Sequence, residues 1–184
     1  MADGRTTEPI TQAQQVAYIT AATCEVFSTM LGQEVTPVHA FVERTATAPA
    51  SGIVSLVGLA GKWVGTGGLS CSTSFACKIS SLFLMSEYDA INEDVLDAIA
   101  EMTNMIIGNV KTALEEQLGP MGLSIPTVIF GRNFQTRNSG NHAWTVVPFD
   151  CGSDRLNVQL CLMPNRDSSR TIRPNCPVPH LLTI

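Results

Sequence analysis

Apolar residues recur every three or four positions in two long stretches of the chain, residues 11–32 and residues 92–118. This spacing predicts two long amphipathic helices, and an apolar stretch at 74–85 predicts a shorter helix between them. Residues suited to helix ends flank the long stretches, namely Gly32 after the first, and Asn92 and Gly119 around the second. In the second long helix the apolar positions form one stripe: Val95, Ile99, Met102, Ile106 and Val110.

Six further stretches have the apolar or alternating pattern of strands: 35–45, 53–59, 63–71, 125–130, 143–149 and 155–163. Short turns join the second stretch to the third and the fifth to the sixth, so we expect two hairpins in a largely antiparallel sheet. Strands follow strands instead of alternating with helices, which favours an α+β fold over a parallel α/β fold. We therefore predict an α+β sheet protein with the two long helices on one face.

The chain divides into one predicted domain and a tail. Residues 1–163 carry all of the predicted elements and are numerous enough for one domain with a substantial core. Residues 164–184 interleave Pro with Asn, Ser and Arg and show neither a helical nor a strand period. We expect this Pro-rich segment to form an extended or mobile tail.

The order of elements suggests two pseudo-repeated halves, each running from a long helix through a strand to a hairpin. A shift of 76 residues aligns two pairs of identical residues, Glu25 with Glu101 and Gly32 with Gly108. Ser28 then falls where the second half has Asn104. If the halves are related, the second helix keeps a polar constellation that the first helix has partly lost.

The second long helix carries that constellation opposite its apolar stripe. Asp97, Glu101 and Asn104 stand at i, i+4 and i+7, which places them within an arc of about 60°. Gly108 lies in the same arc. A polar helix face is usually just solvated, but Asp97 and Glu101 are like charges one turn apart, which costs roughly a few tenths of a kcal/mol. This unfavourable pairing makes the face a candidate site.

Composition and charge narrow the classes of function. Only 15% of the 184 residues are charged, below the usual quarter, so we expect a well-buried sheet and a subunit interface. The net charge of −5 and the absence of a Lys/Arg cluster argue against nucleic acid. No apolar run approaches the roughly 20 residues of a membrane span, and the first residues lack the apolar core of a signal peptide. We therefore expect no membrane partner and a cytoplasmic protein.

Six cysteines are present, but they show no Cys-x-x-Cys pair, and the three histidines have no ligand spacing beside them. Several lie inside apolar patterns, as Cys24 and Cys161 do. Buried, reduced thiols that act as small hydrophobic side chains account for them best. A thiol- or metal-dependent protein is the weakest alternative, and we expect no metal in this chain.

The polar face together with a later proline resembles a known signature. Asp97, Glu101 and Asn104 are followed, after 21 intervening residues, by Pro126 in the segment Ser-Ile-Pro-Thr-Val-Ile. This pattern resembles that of the CheC/CheX/FliY phosphatases of bacterial chemotaxis, in which an acidic residue or Ser precedes Glu, Asn and a distant Pro. The single intact motif and the segment Ile-Ile-Gly-Asn that follows are most similar to CheX. The resemblance extends from about residue 11 to residue 164.

The resemblance implies a function and a role for each residue. Such proteins hydrolyse the aspartyl phosphate of a CheY-type response regulator. Asn104 would enter the regulator's active site and orient the attacking water, and Glu101 would pair with a regulator lysine. Asp97 and Gly108 would belong to the partner-binding surface, and Pro126 would have a structural role. The Mg²⁺ would belong to the regulator, so this chain would hold no cofactor.

The implied chemistry agrees with first principles. An acyl phosphate is already activated, so a water held in line with phosphorus needs no covalent intermediate. The neutral amide of Asn104 would not repel phosphoryl oxygens as a carboxylate would. The alternative from another class is a non-catalytic module that docks a regulator or adaptor, as in flagellar-switch relatives; the intact Glu101 and Asn104 pair favours the enzyme. CheX relatives form dimers, so a homodimer is expected.

Overall fold

A computed structural model describes residues 10–43, 50–134 and 143–165. Within these residues the helices are α1 (Gln12–Val26, continued by a π-helical turn at Phe27–Leu31), α2 (Thr73–Leu84) and α3 (Glu93–Leu118). The strands are β1 (Thr36–Pro37), β2 (Phe41–Glu43), β3 (Ala50–Gly61), β4 (Trp63–Cys71), β5 (Met121–Leu123), β6 (Thr127–Phe134), β7 (Trp144–Cys151) and β8 (Asp154–Pro164). The predicted tail lies outside the described residues, except for its first two. Pro164 is the last residue of β8, and Asn165 donates hydrogen bonds to the carbonyl oxygens of Lys62 and Gly61, so the ordered sheet extends two residues into the predicted tail.

Local signals set the ends of the long helices as the sequence predicts. Thr11 and Gln14 form a capping box at the start of α1, and Gly32 ends the π-helical turn in the left-handed conformation. Asn92 caps α3 by accepting a hydrogen bond from the backbone N–H of Val95 at 3.0 Å. The five residues of the predicted apolar stripe on α3 are each 0% exposed, so the stripe is confirmed.

All strands join one antiparallel sheet in which the two halves of the chain are interleaved. The hairpins β3–β4 and β7–β8 meet through β4 and β8 at the centre, in the order β7-β8-β4-β3. The short strands β1 and β2 of the first half pair with β7 of the second half. In the same way β5 and β6 of the second half pair with β3 of the first. This arrangement confirms the α+β fold and its two-half organisation.

The edges of the sheet differ in detail from the predicted strands. The stretch at 35–45 forms two short strands, β1 and β2, instead of one. The strand expected at 125–130 begins at Thr127 and is preceded by the unpredicted strand β5. Ser124 separates β5 from β6, because its backbone N–H and its hydroxyl oxygen both bond to the backbone of Gly58 on β3. Pro126 follows in this break, where no ladder hydrogen bond is required of it.

The helices cover one face of the sheet and enclose the main core. Alternate residues of the central strands point towards the helices and are buried with them: Ile53, Val57 and Leu59 of β3, Leu69 of β4, Val147 and Phe149 of β7, and Leu156, Val158 and Leu160 of β8. The opposite face carries a smaller cluster formed by Trp144, Val146 and Cys161. The helix layer and its core therefore fix which side of α3 is exposed.

Helix α3 approaches the sheet most closely over a glycine of β4. A Cβ atom added to Gly67 would stand 2.6 Å from Cδ1 and 2.8 Å from Cγ2 of Ile107. Ile107 is itself 0% exposed, so its side chain has little room to move away. The glycine therefore permits the observed spacing between helix and sheet.

We predict that Gly67→Ala destabilises the protein by about 1–3 kcal/mol, because the added methyl overpacks the contact with Ile107. The urea midpoint measures the effect. Gly122→Ala on β5 is the matched control, since a Cβ there meets only the Ala60 carbonyl oxygen at 3.7 Å. The double variant Gly67→Ala with Ile107→Ala should lose less free energy of unfolding than the two single variants lose together. Additive costs would contradict the proposed contact.

Candidate active site on helix α3

The structure brings the predicted polar residues onto one outward face of α3. Asp97 and Glu101 are exposed, and Asn104 and Gly108 are half-buried. The buried stripe on the opposite side holds the helix in one orientation. Thr103, which precedes Asn104, is buried, and its hydroxyl donates to the Ile99 carbonyl oxygen at 2.7 Å, so this polar group is satisfied within the helix.

The three polar side chains on this face differ in their contacts from Lys111 and Glu115 on the same helix. Within the described part of the chain, no hydrogen bond or ion pair engages the side chains of Asp97, Glu101 or Asn104. Further along the same helix, by contrast, Glu115 is paired with Lys111 at 2.9 Å. The unpaired face is therefore available to an external partner.

A groove lies beside the site, between α3 and the C-terminal end of α2. Its volume is about 250 Å³. The lining comes from both helices: Phe83 and Leu84 of α2, and Asp94, Asp97, Ala98 and Glu101 of α3. Asn104 stands one turn beyond Glu101 along α3. The sequence pattern did not predict the α2 wall, although the apolar residues at the end of the helix predicted at 74–85 were a signal for it.

The remaining predicted residues have distinct surroundings. A Cβ atom at Gly108 would meet only Cδ1 of Leu123 on β5, at 3.8 Å, which is ordinary contact. Pro126 is half-buried in the break between β5 and β6 and does not line the groove beside α3. The structure therefore brings Asp97, Glu101 and Asn104 together with Gly108 nearby, and leaves Pro126 in the sheet.

The corresponding residues of the first half are engaged within the molecule. The Glu25 carboxylate accepts a hydrogen bond from Nδ2 of Asn109 on α3 at 3.3 Å. The Ser28 hydroxyl donates back to the Glu25 carbonyl oxygen at 3.0 Å. Both groups that would form a site on α1 thus have intramolecular partners, unlike their counterparts on α3.

The cysteines lack the features of a reactive or metal-binding site. Burial raises the pKa of the Cys71 thiol to about 12, and burial also raises the pKa values of Cys24, Cys77, Cys151 and Cys161. Thiols with raised pKa values are poor nucleophiles near neutral pH. Among the described residues no group of three His, Cys, Asp or Glu side chains could hold a metal ion. Cys176 lies outside the described residues.

Comparison with known proteins identifies the family. Residues 53–150, more than half of the chain, match the sequence model of the family described as "Chemotaxis phosphatase CheX". This range contains α3 with its polar face and extends past Pro126. The chain belongs to the CheX family. A comparison with curated proteins gave no match.

Solved structures share the fold of this CheX-family chain. CheX from Desulfovibrio desulfuricans is 24% identical with a TM-score of 0.73, over 82% of this chain and 99% of that one. CheX from Vibrio vulnificus is 22% identical with a TM-score of 0.71, over 82% and 99%. A chain of the CheX–CheY–BeF₃–Mg²⁺ complex from Borrelia burgdorferi is 22% identical with a TM-score of 0.67, over 80% and 97%.

The predicted family and its chemotaxis phosphatase class are thereby confirmed. The roles of individual residues are not tested by these likenesses and stay predictions. None of the helices that the structure describes is long and apolar enough to cross a membrane.

Gly108 and Gly32 should respond oppositely to alanine. We predict that Gly108→Ala stabilises the CheX-family protein by about 0.5–1 kcal/mol, because alanine is favoured inside a helix and its methyl has room. Gly32→Ala should destabilise by about 1 kcal/mol, because Gly32 has φ of 62°. Thermal unfolding measures both. A destabilised Gly108→Ala would show that Gly108 is required by packing and not by a partner.

Proposed function

We propose that this CheX-family protein hydrolyses the aspartyl phosphate of a phosphorylated CheY-type response regulator and so ends a chemotaxis signal. The observation that carries the proposal is the pair Glu101 and Asn104, one turn apart on the outward face of α3 and unbonded to any other side chain in residues 10–43, 50–134 and 143–165. The occurrence of a CheX–CheY complex in Borrelia burgdorferi supports the choice of partner.

Asn104 is the proposed catalytic residue. Its side chain stands on α3, whose opposite face is buried in the core, and it directly follows the fully buried Met102 and Thr103. A rigid helix lets the amide enter a partner's active site with little loss of side-chain freedom. The neutral amide can then hold a water in line with phosphorus, and the phosphoryl group passes to that water.

Glu101 and Asp97 are proposed to bind and orient the regulator. Glu101 is exposed and points from the turn before Asn104, so it can pair with a lysine beside the acyl phosphate while the amide reaches inward. Asp97 lies one turn further from Asn104 and lines the groove with Glu101. It adds negative potential that favours the same cation.

The proposal also covers the cofactor, the location and the assembly. The Mg²⁺ of the reaction would be bound by the regulator, and this chain would contribute no metal ligand. A cytoplasmic location and a homodimer belong to the same proposal. Half-buried apolar side chains on the sheet face that points away from the helices, Leu56, Val64, Ile129 and Met163, support an interface between copies.

We expect Asn104→Ala to lower the rate of phosphate release from a phosphorylated CheY-type regulator by about 100-fold or more, because a group that acts in the transition state is lost. Affinity for the regulator should be retained. Ser28→Ala, at the corresponding place on α1, is the matched control and should keep the wild-type rate. Equal rates for wild type and Asn104→Ala would refute the enzymatic function. A wild type that binds the regulator but releases no phosphate would indicate a docking module.

Glu101→Gln should separate binding from chemistry. We expect KM for the phosphorylated regulator to rise by at least about tenfold, since an ion pair desolvated at the interface loses one partner. The effect on kcat should be smaller than that of Asn104→Ala. Glu25→Gln is the control, because Glu25 is already bonded to Asn109. A large loss in kcat with unchanged KM would contradict the binding role of Glu101.

A further inference from the structure

The turn that follows α2, at Met85 and Ser86, is called the apex here. It carries an exposed apolar side chain on a strained backbone. Met85 is 91% exposed and has φ of 52°, the left-handed conformation that glycine or asparagine normally takes at a helix end. It makes no large packing contribution to the core, since its side chain stands in solvent. A residue that suits neither its backbone nor its exposure calls for a role outside the folding of this chain.

Hydrogen bonds to Ser81 hold this apex in place. The Ser81 carbonyl oxygen accepts bonds from the backbone N–H groups of Met85 and Ser86, and the Ser81 hydroxyl accepts a bond from the Tyr88 N–H at 3.0 Å. The chain is thereby turned back along α2 before α3 begins. Met85 is therefore presented on a fixed turn.

The apex is continuous with the groove beside the candidate active site. Leu84, which precedes Met85, is 37% exposed and lines the groove together with Phe83. Glu101 lines the opposite wall of the same groove. A partner seated with its acyl phosphate near Asn104 would thus extend over an apolar wall on α2.

The opposite wall is negatively charged, and no cation within the described ranges is paired with it. Asp94, Asp97 and Glu101 line it. The ion pairs of the described residues lie elsewhere, and the only hydrogen bond to these three carboxylates comes from the Tyr88 hydroxyl to Asp94, at 3.3 Å. Apolar surface facing unpaired carboxylates complements a partner surface with a lysine or arginine next to an aliphatic or aromatic side chain.

We propose that this groove, together with Met85 on the adjoining apex, is the surface by which the protein selects its response regulator. Leu84 is the apolar anchor within the groove, and Asp94 and Asp97 form its charged wall. The occupant is a folded receiver domain that presents a basic residue beside an apolar one. The inference rests on the proposed function and extends it to specificity. Met85, Leu84 and Asp94 are docking residues in this arrangement and do not touch the reacting atoms.

Met85→Gly tests the apolar anchor without endangering the fold. Glycine relieves the left-handed backbone, so Tm should be unchanged or higher. We expect KM for a receiver domain phosphorylated with acetyl phosphate to rise about tenfold while kcat is retained. The domain used is the CheY-type domain that the wild type dephosphorylates fastest. Met30→Ala is the matched control, because Met30 is also an exposed methionine but lies in the π-helical turn after α1, where neither of its neighbours lines the groove.

The double change Asp94→Asn and Asp97→Asn tests the charged wall. Association should slow several-fold at low salt, and its dependence on ionic strength should flatten. Glu116→Gln, an exposed acid on the same helix outside the groove, should leave both quantities unchanged. An unchanged salt dependence in the double variant would overturn the assignment of the charged wall.

The outcomes distinguish this inference from the proposed function. If Asn104→Ala is inactive but Met85→Gly has wild-type KM, the phosphatase stands and the groove is not its docking surface. If Met85→Gly alters the oligomeric state in light scattering and leaves KM unchanged, the groove binds a second copy and the inference is wrong. If the wild type releases no phosphate from any receiver domain, the proposed function fails first.

Discussion

The contact between α3 and the central strand β4 sets the position of everything that the helix presents to solvent. The two elements approach so closely that a Cβ atom at Gly67 would stand 2.6 Å from Ile107. Because the Ile107 side chain is enclosed this tightly, α3 can adopt only one rotation about its own axis. That rotation points Glu101 and Asn104 outward. The packing beneath the helix, not any contact on its surface, therefore fixes the geometry of the candidate active site.

The two halves of the fold share an architecture but differ in what their helices leave free. Each half contributes a hairpin to the centre of the sheet and edge strands to the other half's hairpin. On α1, Glu25 bonds to Asn109 and Ser28 bonds to its own helix, so these groups are already satisfied. On α3 the corresponding groups keep their hydrogen-bonding capacity for a partner. Both constellations lie at the surface, but only the one on the first half is hydrogen-bonded within the described part of the molecule.

A site of this kind suits a reaction whose substrate is already activated. The phosphoryl group of an acyl phosphate needs a positioned water more than it needs a nucleophile, and a rigid helix can supply that with one amide. Recognition of the partner is then the larger part of what this protein contributes to the reaction. The apolar apex at Met85 and the carboxylates across the groove provide a surface for it, next to the chemistry but separate from it.

The sequence by itself determined the helices and the composition of the polar face. The helical period, the caps such as Asn92 and the apolar stripe opposite Glu101 and Asn104 depend on residues within one or two turns along the chain. The local sequence is therefore enough to predict them. Only the tertiary structure decided that Phe83 and Leu84 stand beside α3, that Ser124 divides two edge strands, and that the halves exchange those strands. These features depend on contacts between segments that are distant in sequence, and such contacts produce no periodic pattern of apolar and polar residues.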